Sequence, residues 1–588
     1  TSVPVITVLD PSAQIGLSLV QSLSNKPLDA YLSIDNGTIT WHRLWFRFGR
    51  ATAPITIRRH LLWHEDCWRP ALAALAAFNA GSFEDNGSIN ASRLHGGGSY
   101  VDYRGEGDSR PYTSSFGAYA GNLRKMNYQL NWMVTANWAP SHGLWLPFNL
   151  SSREPYTSNW SSCIGHPDFQ AYFDGKNYEF VQECWQLNYE ALERYSLDLK
   201  SQGFTPCLYG NYWEYGYNIS RTDQSLPDCN DVQYPGPKAS KQQMQDWAFC
   251  TTNAYMREHL ASSPFRRWSK EGVDNESVIS GGMQGSIFLD AGDATYEAHL
   301  LKMANLMLDR VPAAECLVFD QTGFASLFNP NADDGRSFVA GRAGRSQVMS
   351  MFSITEAIGY TLHRAGKAML WNPGMPRSDL AMHIDGFFAE HGYTPQNMHL
   401  NALLGIGGKP VISWNPGCNG PSQKLPGCGE FDYNTSRWLQ RLLYFGQQPM
   451  LPTDRNDHGI TRHDSRINGD QDTFEAYGPL FRQMRLRKWV LQAHPVKVLE
   501  GTALANIFQV QGNYVLPVVM AEAFSRIRIS VKVPRSVQAK VLQPGSSEKF
   551  LQLEPRAGYA EITLAMGRFG CAMLVIELDA SGETVTFV

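Results

Sequence analysis

The sequence predicts a multidomain α/β chain: a (β/α)8 barrel of TIM type between an N-terminal β-sandwich-like domain and a C-terminal antiparallel β-sandwich. Three observations predict it. Apolar and polar residues alternate with a period of two over residues 1–115 and again over 495–588, as half-buried strands do. Between them, short apolar runs alternate with amphipathic helical segments, the mark of βα units. At 588 residues the chain is also too long for one ordinary core.

The N-terminal domain is read from strand-like runs at 3–8, 15–20, 30–34, 38–42 and 55–59. Asp35-Asn36-Gly37 stands between two of them and is a hairpin turn signal. A short helix follows at 68–78. His95-Gly-Gly-Gly-Ser99 and the polar stretch to 115 read as a linker. Because the chain opens in a strand-like run on Thr1 rather than Met, the expectation is a processed chain, with an upstream segment completing this domain.

The barrel is assigned to 116–494. Its eight expected strands are 131–137, 205–211, 286–290, 316–320, 368–372, 381–385, 410–415 and 448–453. Helices are expected at 183–200, 294–308, 347–364 and 436–445, and a last one at 474–493. An insertion at about 212–285 holds Cys229 and Cys250. The fifth and sixth strands are joined by a connection too short for a full helix.

Composition narrows the function. With 43% hydrophobic and 18% charged residues, the chain is a folded one. A net charge of -4 with scattered Lys and Arg offers no field for nucleic acid. No apolar run reaches the ~20 residues of a membrane span. There is no Gly-x-Ser-x-Gly elbow, no Walker A loop and no His-Glu-x-x-His, and neither metal nor cofactor is expected. Ten cysteines without a Cys-x-x-Cys pair point to disulfides, with Cys418 and Cys428 bracketing one loop and Cys229 and Cys250 another. Eight Asn-x-Ser/Thr sequons stand at Asn36, Asn86, Asn90, Asn149, Asn159, Asn218, Asn275 and Asn434. A secreted or lumenal glycoprotein is the expectation.

A barrel carries its active site at the C-terminal ends of its strands. Two expected strands end on an aspartate, Asp320 and Asp385, and two carboxyls are what glycosidic bond cleavage requires. Asp320 is the candidate nucleophile and Asp385 the candidate acid/base, with Glu390 as the reserve for the second role. Other expected strand ends supply Trp138, Trp213, Asp290, Trp371, Asn372, Trp414, Asn415 and Asp454. Indole faces suit the C–H faces of a sugar ring, and Asn and Asp side chains suit its hydroxyls. Arg342 and Arg377 are candidates to steady a carboxylate or a hydroxyl. For each aspartate singly, capping of the following helix is the competing explanation.

In the order of its domains and in the aspartates at the fourth and sixth expected strand ends, the chain resembles the retaining α-galactosidase and α-glucosidase-like barrel hydrolases of clan D and their relatives. The resemblance implies a metal-independent retaining α-glycosidase acting on an oligosaccharide or glycan, with the fourth-strand aspartate, Asp320, as nucleophile and the sixth-strand aspartate, Asp385, as acid/base. The fourth-strand sequence Phe319-Asp-Gln-Thr-Gly323 departs from the Trp-x-Asp or Lys-x-Asp of those families. The rival reading is a catalytically silent carbohydrate-binding or structural protein on the same scaffold.

Overall fold

The computed structural model describes residues 4–23, 30–35, 38–43, 58–85, 91–99, 120–133, 196–215, 258–277, 287–320, 327–373, 377–390, 395–413, 435–450, 465–520, 526–566 and 570–578, apart from a few single positions within them, together with Glu193 and Cys250. Its centre is an eight-stranded parallel sheet. The strands are β1 (Gly97–Ser99), β2 (Tyr128–Met133), β3 (Thr205–Asn211), β4 (Cys316–Asp320), β5 (Ala368–Trp371), β6 (Gly386–Ala389), β7 (Val411–Ser413) and β8 (Gln448–Pro449). They pair in chain order, and a parallel bridge from Met450 to Gly98 returns the last strand to the first. The barrel of the expected fold class is therefore present and nearly closed.

Alternation along each strand builds two cores. Cys207, Tyr209, Cys316, Val318, Ala368, Leu370, Phe388 and Ile412 fill the barrel interior with Trp132. Their neighbours Leu208, Leu317, Phe319, Met369, Trp371, Phe387 and Val411 join a larger core with residues of the outer helices. A strand buried on both faces reads as a continuous apolar run, which is why β4 and β5 show no alternation in sequence.

Helices α1 (Arg69–Phe78), α2 (Ala294–Arg310), α3 (Gln347–Arg364), α4 (Pro395–Leu404), α5 (Thr435–Phe445) and α6 (Ser465–Gln483) surround the described strands. Local chemistry sets the bounds of α2. Asp293 caps it by accepting from Thr295 N, Glu297 lies in the first turn and Arg310 in the last, each suited to the helix dipole. The closing helix ends at Gln483, ten residues before its expected end.

Three strand assignments are corrected. The first barrel strand is Gly97–Ser99, in the stretch expected to be a linker. Its glycines are there for crowding: a Cβ on Gly98 would stand 2.7 Å from the Phe388 ring, and one on Gly97 2.9 Å from Pro449 O. Residues 287–288, expected in the barrel, instead pair antiparallel with Glu214–Tyr215 just beyond β3. Residues 378–383 form a 3-10 helix, and the sixth strand begins only at Gly386.

The chain leaves the barrel after β3 and again after β4. Both excursions contribute to one five-stranded sheet, in the order Gly272–Ser277, Arg266–Ser269, Leu327–Asn329, Arg342–Ser346, Ser337–Val339. Toward the C-terminus, a seven-stranded and a three-stranded antiparallel sheet enclose a core that includes Leu516, Ile527, Ile529, Ile562 and Leu574. Near the N-terminus, Val5–Asp10, Ile15–Gln21 and Arg59–Glu65 form an antiparallel sheet, packed by one face on α1. The hairpin Ala30–Asp35/Thr38–Arg43 is present, with Asp35 opposite Thr38 across the Asn36-Gly37 position. Among the described residues no helix is long and apolar enough to cross a membrane.

Candidate active site

The interior positions, followed upward, lead straight to the polar groups. On β3 the inward series Cys207, Tyr209 ends on Asn211, and on β4 Cys316, Val318 ends on Asp320. On β5 Ala368, Leu370 leads to Asn372, and on β6 Phe388 leads to Glu390. Asn372 lies one residue beyond β5, where its N donates to Phe319 O at 2.8 Å and so extends the ladder from β4. That bond fixes the turn of its side chain toward the barrel axis.

Asn372 joins the two carboxyls. Its Nδ2 donates to Asp320 Oδ1 at 2.6 Å and to Glu390 Oε2 at 2.8 Å. Its Oδ1 accepts from Glu390 N at 3.2 Å, so the amide is oriented by both of its ends. The second oxygen of Asp320 accepts from Tyr209 Oη at 2.7 Å. Beneath it, Tyr209 stacks on Trp132, with ring centroids 5.8 Å apart. Asp320 is only 4% exposed and Asn372 3%. The two carboxylate oxygens on one nitrogen stand at most about 5.4 Å apart.

Asp385 lies elsewhere. It precedes Gly386 and sits at the N-terminal end of β6, at the opposite end of the barrel from Asp320. Its Oδ2 accepts from Met369 N at 2.7 Å and lies 2.9 Å from His363 Nε2 of α3. It cannot meet a substrate held at Asp320, and the expected acid/base assignment of Asp385 is corrected on that ground. The reserve candidate, Glu390, is the carboxyl that the geometry places beside Asp320.

Other expected site residues have structural surroundings. Trp371 and Trp213 point out of the barrel into the outer core, and Trp371 Nε1 donates to Tyr212 Oη at 3.2 Å. Asp290 is fully buried and accepts from Gly292 N, from Asn329 Nδ2 at 2.7 Å and from Ser350 Oγ, with Arg345 Nη1 at 3.4 Å. Burial still pushes its carboxyl above the ordinary range, against the pull of Arg345 and these donors. Asp290 thus ties the two excursions together. Arg377 is bound through two nitrogens to Asp379, and Arg342 is exposed on its strand. Trp138, Trp414, Asn415 and Asp454 lie outside the described residues.

Two members of the site went unread in the sequence. Tyr209 sits inside an apolar strand and looks like core; only its parity with Asn211 gives it away. Glu214 is buried at 2% and takes an Asn211 Nδ2 contact at 3.3 Å. Asn211 Oδ1 meanwhile accepts from Trp213 N and Glu214 N, which turns the chain at the barrel rim. The described disulfide joins Cys207 to Cys316, directly opposite one another on β3 and β4. Cys250 is also disulfide-bonded. Cys229, Cys418 and Cys428 lie outside the described residues, as do the sequon asparagines apart from Asn275, which is on the edge strand Gly272–Ser277.

Solved structures with a similar fold exist. The cycloalternan-degrading enzyme from Trueperella pyogenes, in complex with a covalent intermediate, superposes with a TM-score of 0.55 at 11% identity, covering 98% of this chain and 71% of that one. The same enzyme in complex with isomaltose gives 0.53 at 12%, covering 98% and 74%. The likeness is one of fold. A cycloisomaltooligosaccharide glucanotransferase from Paenibacillus sp., complexed with cycloisomaltoheptaose, gives 0.50 at 8% and covers 97% and 98%. No protein-family model matches the chain, and no curated sequence matches it significantly.

Proposed function

We propose that this protein is a retaining glycoside hydrolase acting on α-linked oligosaccharides, with Asp320 as nucleophile and Glu390 as acid/base. One observation carries the reading: a single amide nitrogen, that of Asn372, holds both carboxyls at the C-terminal ends of the fourth and sixth strands within about 5.4 Å of each other. In the first step an Asp320 oxygen attacks the anomeric carbon, the glycosidic C–O bond breaks, and the proton on Glu390 passes to the leaving oxygen. In the second, water attacks the same carbon, Glu390 takes its proton, and the ester to Asp320 opens. The isomaltose and cycloisomaltoheptaose in the structural neighbours support α-glucosidic substrates. The disulfides at Cys207–Cys316 and at Cys250 support an oxidising, secreted or lumenal setting.

The test is incubation with aryl α-glucosides, isomaltose and cyclic α-glucans, following the product anomer by NMR. Release of the α-anomer first, lost in Asp320→Asn with the fold unchanged, is the expected result. Saturable binding with no product would favour the silent carbohydrate-binding alternative. The β-anomer as first product would exclude retention.

A further inference from the structure

The two oxygens of Asp320 are not equivalent. Oδ1 faces Asn372 and, through it, Glu390; Oδ2 accepts from Tyr209 Oη at 2.7 Å. Tyr209 is fully buried in the barrel interior, clamped by the Trp132 ring on a strand that pairs with β4. Resting on the glycosidase reading, we infer that Tyr209 is a positioning residue: it holds Oδ2 so that Oδ1 is the oxygen that bonds to the anomeric carbon.

The physical argument is directional. The glycosidic oxygen must lie within reach of Glu390 for its proton to transfer, and the Asp320 oxygen on that side is Oδ1. As Oδ1 gives its electron pair to the anomeric carbon, Oδ2 becomes the carbonyl oxygen of the ester. A hydroxyl donor already aimed at Oδ2 needs no reorganisation at that moment. Among the described residues, Asn372 also donates to this carboxyl, on Oδ1, and shares that nitrogen with Glu390. Tyr209 is the one hydroxyl placed on Oδ2 among the described residues.

The experiment has two arms. The wild-type enzyme is trapped with 5-fluoro-α-glucosyl fluoride and its structure solved. Tyr209→Phe, which keeps the ring and its stacking, is compared with wild type in kcat and KM separately and in thermal unfolding. The expected structure shows an ester through Oδ1 with Tyr209 Oη on Oδ2. The expected variant unfolds near the wild-type temperature and loses about tenfold to a hundredfold in kcat/KM, the loss falling on kcat with KM little changed. An ester through Oδ2, or a kcat that does not fall, overturns the inference and leaves the glycosidase reading standing. No ester on Asp320 at all overturns both.

Discussion

Asp385 and Glu390 bracket one strand: Asp385 immediately precedes β6 at Gly386, and Glu390 immediately follows it at Ala389. They lie five positions apart in sequence and at opposite ends of the barrel. Only Glu390 shares a hydrogen-bond donor with Asp320.

The two acids should therefore fail differently when neutralised. Glu390→Gln is expected to cost about 10²–10⁴ in kcat/KM on unactivated α-glucosides, the range of a lost general acid. Aryl substrates whose leaving group needs no proton should lose far less. Asp385→Asn should keep kcat within a few-fold and instead lower the unfolding temperature, since its carboxylate holds Met369 N and His363 together. Matched leaving-group series and melting curves on both variants decide it. The reverse pattern would restore Asp385 to the chemistry.

Much of this was legible in the sequence, and the exceptions have physical causes. Strands β3 and β4 were placed correctly because a strand buried on both faces leaves an uninterrupted apolar run with a polar stop. That signal is blind to direction. In Ala381-Met-His-Ile-Asp385 the apolar run belongs to a 3-10 helix and its aspartate lies before a strand, whereas Gly386-Phe-Phe-Ala-Glu390 is the strand with its carboxyl after it. The first barrel strand was invisible because close packing by Phe388 and Pro449 demands glycine, the residue that elsewhere marks a linker. Tyr209 and the Cys207–Cys316 pair depend on register between strands over 100 residues apart, which no local pattern encodes.

Asp290 should behave as a tie between the two excursions rather than as a substrate ligand. Asp290→Asn puts an amide donor where Asn329 Nδ2 and Arg345 already donate, and leaves one of them unsatisfied in a buried site. A loss of about 2 kcal/mol in stability is expected, read from denaturant unfolding. Hydrogen exchange should rise in 262–293 and 327–350, with KM for small α-glucosides little changed. A large rise in KM with unaltered exchange would return Asp290 to the binding site.

Lys409 gives the pH dependence a definite sign. It is fully buried just before β7, and its Nζ donates to Ala381 O at 2.6 Å and Gly81 O at 3.2 Å. Desolvation lowers its pKa to about 8 from 10.5, against the pull of Asp385 and Asp85. Below pH 8 the ammonium is charged in both folded and unfolded chains, and the folded state bears the full cost of burying it. Between about 8 and 10.5 the folded chain releases the proton while the unfolded chain keeps it, so this group's contribution to stability rises with pH. A shift of this size corresponds to about 3 kcal/mol across the window, as an order of magnitude. Lys409→Met removes the titration, and subtracting its melting temperature from that of wild type cancels the other groups. The difference should be least favourable to wild type near pH 7 and should climb steadily toward pH 10. A difference that stays flat over that range would mean that Lys409 does not lose its proton there.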